Sequence, residues 1–422
     1  MSCIRFLFFL GIISFTITNT HAQLKVKLSG VVQDRKSDTL LLSAATTSIR
    51  DESRIVSIPI TNGKFEYEIN VNQVEAYQLV FLDEFQEGGW KPVIFFPDTT
   101  NIHFILNPMD SFEANVIAGG TINRNYYRLK NEIRDRFMVP STMISNQRKK
   151  LQEAKSYRSK EHATVIAKLN AAKSQDEKVP IYEELGELRK TGAEYTEAGR
   201  AVNLRFDSLA MEITKFKYKL IDKSKDLASY YLLWLDATNE AKLKRDVAEI
   251  VLQKYPIFKA AFPTHPYTSQ IKDVVEAMVK IVPGNRFVDF TAPALDGKSY
   301  TLSEQIKGKV AVIDLWASWC GPCIAKAKAL VPIYQKYRNK GFAIVGVARE
   351  FKNLDALKFR LGQEKFSWLQ LTELNDKNGI WRKYAVADGG GIQVLVDQEG
   401  RVLKVNPTAE EVENYVQKLL KI

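Results

Sequence analysis

Val310–Cys323 reads V-A-V-I-D-L-W-A-S-W-C-G-P-C, and no other stretch limits the fold of this chain so tightly. An apolar, β-branched run predicts a buried strand, and a Cys-x-x-Cys follows it at the start of a helix-like segment. That order holds two cysteines at a sheet edge, on a helix N-terminus. Such a terminus offers free backbone N–H groups and a partial positive charge, and both favour a thiolate. A redox dithiol needs that environment. A Cys-x-x-Cys can also be half of a zinc site, but the flanking Trp316, Trp319 and Pro322 weigh against it.

The use of cysteine elsewhere sharpens this reading. Met1–Ala22 has the pattern of a secretory signal: Arg5, the apolar run Phe6–Phe15, and Thr20-His21-Ala22 before Gln23. The run is short for a bilayer span of ~20 residues, so export to the periplasm or cell envelope is expected, with an uncleaved anchor as the alternative. Of three cysteines, Cys3 leaves with the leader and the other two form the Cys-x-x-Cys. Structural disulfides in exported proteins join spaced residues, and a bridge over two residues closes too small a loop to stabilise much. The pair is therefore read as chemical. The formal charge of +11 suits solubility or a loose attraction to anionic surfaces, and no nucleic-acid partner is expected for an exported chain.

At 422 residues, more than one domain is expected. Residues 23–120 read as an antiparallel β-sandwich. Alternation in Leu24, Val26 and Leu28 begins it, and Asn62-Gly63 predicts a hairpin joining Ile55–Ile60 to Lys64–Ile69. Ala76–Phe81, Lys91–Phe96, Asn101–Leu106 and Phe112–Ile117 supply further strands. Residues 121–282 read as helical, with a buried helix at Leu227–Leu235 and a charged, solvated arm over Gln147–Lys190. Residues 283–422 read as a thioredoxin-like α/β unit. Lead-in strands at Phe287–Phe290 and Ser299–Leu302 come first. The strand Val310–Leu315, a helix from Cys320 to Asn339, a strand at Phe342–Val347 and a helix at Asn353–Leu361 follow. After an irregular stretch come strands Ile392–Val396 and Arg401–Val405, then a helix from Ala409 opened by the Thr408-x-x-Glu411 capping box.

Lys309–Phe342 resembles the TlpA/ResA-like thiol–disulfide oxidoreductases of the bacterial envelope. Lys307-Gly308-Lys309, Asp314–Cys323 and Lys340-Gly341-Phe342 carry the resemblance. It implies that Cys320 is an exposed attacking thiolate and Cys323 a more buried resolving thiol. Asp314, six residues before Cys320, would be the buried acid that relays a proton to or from Cys323. Trp316 and Trp319 would shape the dithiol surface, with core packing the alternative for Trp316, and Trp319, Gly321 and Pro322 would bind substrate. A loop at Gly390, Gly391 and Ile392 would meet the substrate backbone. The partners implied are protein thiols or disulfides in the envelope and a membrane electron donor, with a reducing role. The β-rich segment Leu24–Ile117 is similar to the small domain that often precedes this module.

The chain departs from that family at three points. The cis-proline that faces the cysteines is replaced within Val386–Ile392, where Gly391 occupies its place, so the peptide before it is expected to be trans, and returning a proline should raise turnover if the missing ring limits substrate docking. Lys326 stands where a glutamate is common, and Lys328 replaces a helix proline that reappears as Pro332. Two other readings stay open: a redox-idle binding scaffold, and a metal or iron–sulfur site at the cysteines. His103, His162 and His265 are scattered outside the last unit, so no metal is expected. The chain has no glycine fingerprint and no Cys-x-x-Cys-His, so no cofactor is expected. Nothing in the sequence sets an oligomeric state.

Overall fold

The computed structural model describes residues 23–239, 244–386 and 390–422, and the expected leader lies outside them. The first strands are β1 (Leu24–Val32), β2 (Thr39–Ala44), β3 (Val56–Pro59), β4 (Lys64–Val71) and β5 (Tyr77–Phe81). After the short helix α1 (Leu82–Glu87) come β6 (Val93–Phe95), β7 (Asn101–Leu106) and β8 (Val116–Ala118). They form two four-stranded sheets, ordered β4-β1-β7-β8 and β3-β2-β5-β6. Val26, Leu28, Phe65 and Phe104 of the first sheet share a core with Leu40, Leu79, Phe81 and Phe95 of the second.

Three expectations for this region are corrected. The sheets are not wholly antiparallel, because β1 and β7 run parallel. Strands joined by a tight turn must pair antiparallel, but β1 and β7 are separated by excursions into the other sheet, which frees their direction. The Asn62-Gly63 turn forms, with both residues at positive φ and Thr61 bridged to Lys64. Its two arms then part: β3 pairs with β2, and β4 pairs with β1. Phe112 lies in a 3-10 turn, Met109–Ala114, and only Val116–Ala118 is extended.

The helical region comprises α2 (Thr121–Glu153), α3 (Lys160–Ala171), α4 (Gln175–Thr191), α5 (Glu197–Ile221), α6 (Leu227–Asn239), α7 (Arg245–Ala261) and α8 (Pro266–Lys280). Helix α6 is buried nearly all round, as its apolar run requires. Its Tyr230, Tyr231 and Trp234 pack in one core with Ala76, Ile94 and Phe96 from the β-rich part. Asn123 on α2 closes this seam: its side chain accepts from Phe96 N–H and donates to Phe96 O, at 2.8 and 2.7 Å.

The last unit opens with β9 (Thr291–Pro293), β10 (Ser299–Thr301) and α9 (Leu302–Ile306); Phe287–Phe290 is not a strand. Then come β11 (Val310–Trp316), α10 (Gly321–Tyr337), β12 (Phe342–Glu350), α11 (Asp355–Glu364), β13 (Leu369–Leu374), α12 (Ile380–Lys383), β14 (Ile392–Val396), β15 (Val402–Val405) and α13 (Ala409–Leu420). The sheet order is β13-β12-β11-β14-β15, parallel across the first three strands and antiparallel across the last two. Strand β13 and helix α12 occupy the stretch expected to be irregular. The alternation along β11 decides what each sheet face meets. Val310, Val312 and Trp316 pack with α10 and α13, while Ala311, Ile313 and Leu315 pack with the lead-in segment and α12. The capping box forms at the start of α13, with Thr408 and Glu411 each bonding the other's backbone.

Candidate active site

The central strand β11 is buried at all seven positions and delivers the chain to the cysteines. Cys320 is the N-cap of α10, and its Sγ accepts from Cys323 N–H at 3.3 Å. Pro322 sits in the first helical turn, where its missing N–H costs nothing. The two sulfurs are joined as a disulfide. Cys320 and Cys323 are each only 7% exposed, so the expected contrast between an open attacking sulfur and a hidden resolving one is absent. A helix from elsewhere in the chain lies beside this corner. Helix α4 packs against α10, and a β-carbon on Gly321 would lie 3.2 Å from the Tyr182 hydroxyl. Trp319 stays 42% exposed, stacked on Phe351 at 6.4 Å, with the Arg50 guanidinium 5.4 Å from its ring.

The facing loop meets the disulfide through glycines. Ala387, Asp388 and Gly389 lie outside the described residues, while Gly390 is exposed and adjoins both sulfurs. A β-carbon there would lie 3.6 Å from Cys320 Sγ and 3.8 Å from Cys323 Sγ, an ordinary contact. Gly391 N–H donates to Cys323 Sγ at 3.2 Å, a bond that proline has no hydrogen to make. A β-carbon at Gly391 would fall 1.6 Å from the Leu315 carbonyl oxygen. The backbone at 391 therefore lies closer to β11 than any side chain allows, which gives a structural reason for the glycine and argues against a proline fitting there. No described peptide bond is cis. Ile392 is buried and starts β14, opposite Leu315, so its side chain faces the core rather than the cleft.

Asp314 lies in β11 on the α10 face by alternation, and it is 2% exposed. Its Oδ1 accepts from Gln393 Nε2 at 3.2 Å, and its Oδ2 has no hydrogen-bond partner among the described residues. Burial pushes its pKa up to about 7, partly offset by the Gln393 bond and the charge of Lys326. Lys326, one turn beyond Cys323, has its own pKa lowered by desolvation and raised back by Asp314. Its Nζ donates to Asn406 Oδ1 at 3.3 Å. Lys328 instead pairs with the buried Glu364 at 2.8 Å. Trp316 is fully buried and donates to Gln370 at 2.9 Å, so it packs the core.

One residue near the site escaped the sequence. Glu350, at the end of β12, accepts from Ser318 N–H and Ser318 Oγ, each at 2.8 Å. It thereby pins the turn that carries Trp319 and Cys320. Burial raises its pKa. The only local signal was a charged pair, Arg349-Glu350, ending an apolar strand. Among the described residues no group of three or more His, Cys, Asp or Glu is placed to hold a metal ion.

Comparison with known proteins accords with this geometry. Residues 282–419 match the Redoxin family model. The chain is 27% identical over 144 residues to the thiol-disulfide oxidoreductase ResA of Bacillus thuringiensis subsp. konkukian, covering 33% of this chain and 80% of that protein. The last third of this chain is a thioredoxin-like redoxin domain of the thiol–disulfide oxidoreductase type. The thioredoxin-like protein YneN of Bacillus subtilis is 27% identical over 128 residues, covering 30% of this chain and 73% of its own length. Among solved structures, a putative thiol:disulfide interchange protein DsbE from Chlorobium tepidum shares 30% identity over 33% of this chain and 98% of its own, with a TM-score of 0.30. In this redoxin domain the two cysteines lie at the start of α10, directly after the central strand and its turn. The adjoining helix and the glycine loop are features of this chain that its own geometry defines.

Proposed function

We propose that the protein is an exported thiol–disulfide oxidoreductase that uses Cys320 and Cys323 to reduce protein disulfides in the cell envelope. The observation that carries this reading is the Cys320–Cys323 disulfide on the first turn of α10, above a buried Asp314 whose pKa lies near neutrality. In the reduced protein, the Cys320 thiolate gains stabilisation from the helix N-terminus and from Cys323 N–H. It attacks one sulfur of a partner disulfide, forming a Cys320–partner bond and releasing the second partner sulfur as a thiolate. Cys323 then loses its proton to the Asp314 carboxylate and attacks Cys320 Sγ. The intramolecular disulfide re-forms and the first partner sulfur leaves. Two electrons pass from the dithiol to the partner, and two protons complete the partner thiols. A dithiol-bearing electron donor at the membrane would restore the reduced pair by the reverse exchange.

Gly391 N–H supports the same step, because it can stabilise the Cys323 thiolate at the moment of attack. The Gly-Pro pair between the cysteines and the pattern of the Met1–Ala22 leader support a reducing, exported role. Among the described residues no helix is long and apolar enough to cross a membrane. The second reading, a redox-idle scaffold, draws on the burial of both sulfurs. Insulin reduction separates the two. The enzyme reading expects wild-type protein to reduce insulin with dithiothreitol as the source of electrons, and Cys320→Ser to lose that activity. A wild-type dithiol that cycles with dithiothreitol yet never reduces insulin supports the scaffold.

A further inference from the structure

The helices α3 and α4 form a hairpin tied at its base, and α4 packs along α10. At the base, Arg158 and Tyr195 make an antiparallel bridge, Ser159 N–H donates to Glu194 O at 3.2 Å, and Thr196 Oγ1 donates to Ser156 O at 2.6 Å. Gly199 permits this crossing, since a β-carbon there would lie 2.2 Å from Tyr157 O. Beyond the base the pair is held to itself by Lys168 and Glu184, at 2.9 Å; among the described residues Val165 on α3 and Leu185 on α4 are its buried apolar side chains, and Val179, Ile181, Tyr182 and Leu188 on α4 are half-buried. Yet α4 crosses the site, with Tyr182 at Gly321 and Lys190 close enough to Glu411 of α13 to lower its pKa. Helix α4 lies along α10 but buries only Leu185 fully among its described residues, so it is easier to separate than a core helix, and its fixed base returns it to one place.

We propose that the α3–α4 hairpin determines which disulfides reach Cys320, with Tyr182 as the specificity-determining contact. The hairpin occupies the surface that a folded protein must touch to bring a disulfide onto the α10 N-terminus. A small disulfide needs only the exposed edge at Gly390 and Trp319. A protein disulfide needs α4 displaced, so protein exchange carries the cost of opening and small-molecule exchange does not. The inference rests on the thiol–disulfide reading above and adds the source of its selectivity.

The test compares the reduced full chain acting on cystine and on insulin. Tyr182→Ala should raise the rate with insulin about fivefold, the loss expected for one aromatic contact, and leave the rate with cystine within about twofold. Leu185→Glu, which unseats the same helix through its buried face, should produce the same selective gain. Insulin rates that stay unchanged in both variants, or cystine and insulin rates that rise by the same factor, overturn the hairpin's role. Failure of every form to exchange with either disulfide overturns the thiol–disulfide reading itself, a result distinct from active cystine exchange with an unmoved insulin rate.

Discussion

Helices α10 and α4 are each 17 residues long and meet at the dithiol, but they are held there in different ways. Helix α10 buries Cys323, Ile324, Ala325, Ala327, Leu330, Ile333 and Tyr337 against the central sheet. Helix α4 buries Leu185. The first is fixed by the fold, and the chemistry of its N-terminus comes with it. The second is fixed by the base of a hairpin and by packing on α10 through side chains that are mostly half-buried. The difference teaches that reactivity and access have separate structural owners in this chain. Changes on the α10 side should remove chemistry, and changes on the α4 side should alter who is admitted.

The largest effect is expected at Cys320. Cys320→Ser should abolish insulin reduction without unfolding the domain, because the cap position tolerates serine well. Residual activity in that variant would break the assignment of the attacking sulfur. Next comes Gly391. Gly391→Ala or Gly391→Pro should destabilise the chain by about 2–4 kcal/mol in urea unfolding, because a β-carbon cannot coexist with Leu315 O without moving β11 or the loop. Unchanged stability with faster turnover would show that the glycine is a deficit rather than a requirement.

Asp314 probes the α10 side more gently. Asp314→Asn should slow insulin reduction by about 10- to 100-fold near neutrality, with the rate's dependence on pH around 7 flattened. Stability should move the other way. The folded carboxyl ionises near 7, while the unfolded one ionises near its ordinary value of about 4, so the folded protein holds a proton that the unfolded chain has released. Stability therefore falls as pH rises through that window and is level above it. The asparagine variant should be the more stable protein at pH above about 7, by on the order of 4 kcal/mol, and should lose that advantage below about 4. Urea unfolding at both ends of the window checks the sign. The smallest expected effect is the few-fold, insulin-selective gain from Tyr182→Ala, the change that acts on α4 alone.

The sequence was most informative where local pattern and final structure share a cause. Val310–Cys323 predicts a buried strand, a turn and a capped helix because each is set by its own residues. The Thr408–Glu411 capping box is legible for the same reason. Asn62-Gly63 marks a turn, since its positive φ angles are local, but it cannot say that the arms join different sheets. Strand β13 went unread because Gln370, Thr372 and Glu373 are polar yet buried, their side chains engaged by the fold rather than by solvent. The position of α4 is still less legible. Its charged composition describes a solvated helix, while the apolar residues Val179, Ile181, Tyr182, Leu185 and Leu188, half-buried or buried in the structure, are spread among those charges. Gly391 was read as a lost proline. Its reason is the carbonyl of Leu315, 76 residues earlier in the chain and adjacent in space. Glu350 likewise acts through Ser318, which only the sheet brings near.

The most direct test of the account is covalent capture. Reduced Cys323→Ser protein, mixed with insulin and quenched with acid, should hold an insulin chain in a disulfide to Cys320 that mass spectrometry locates and dithiothreitol releases. An adduct at Cys320 that accumulates in this variant and turns over in the wild type is the predicted result. Absence of any adduct, from a folded protein whose Cys320 still reacts with an alkylating reagent, would contradict the claim that this sulfur attacks protein disulfides.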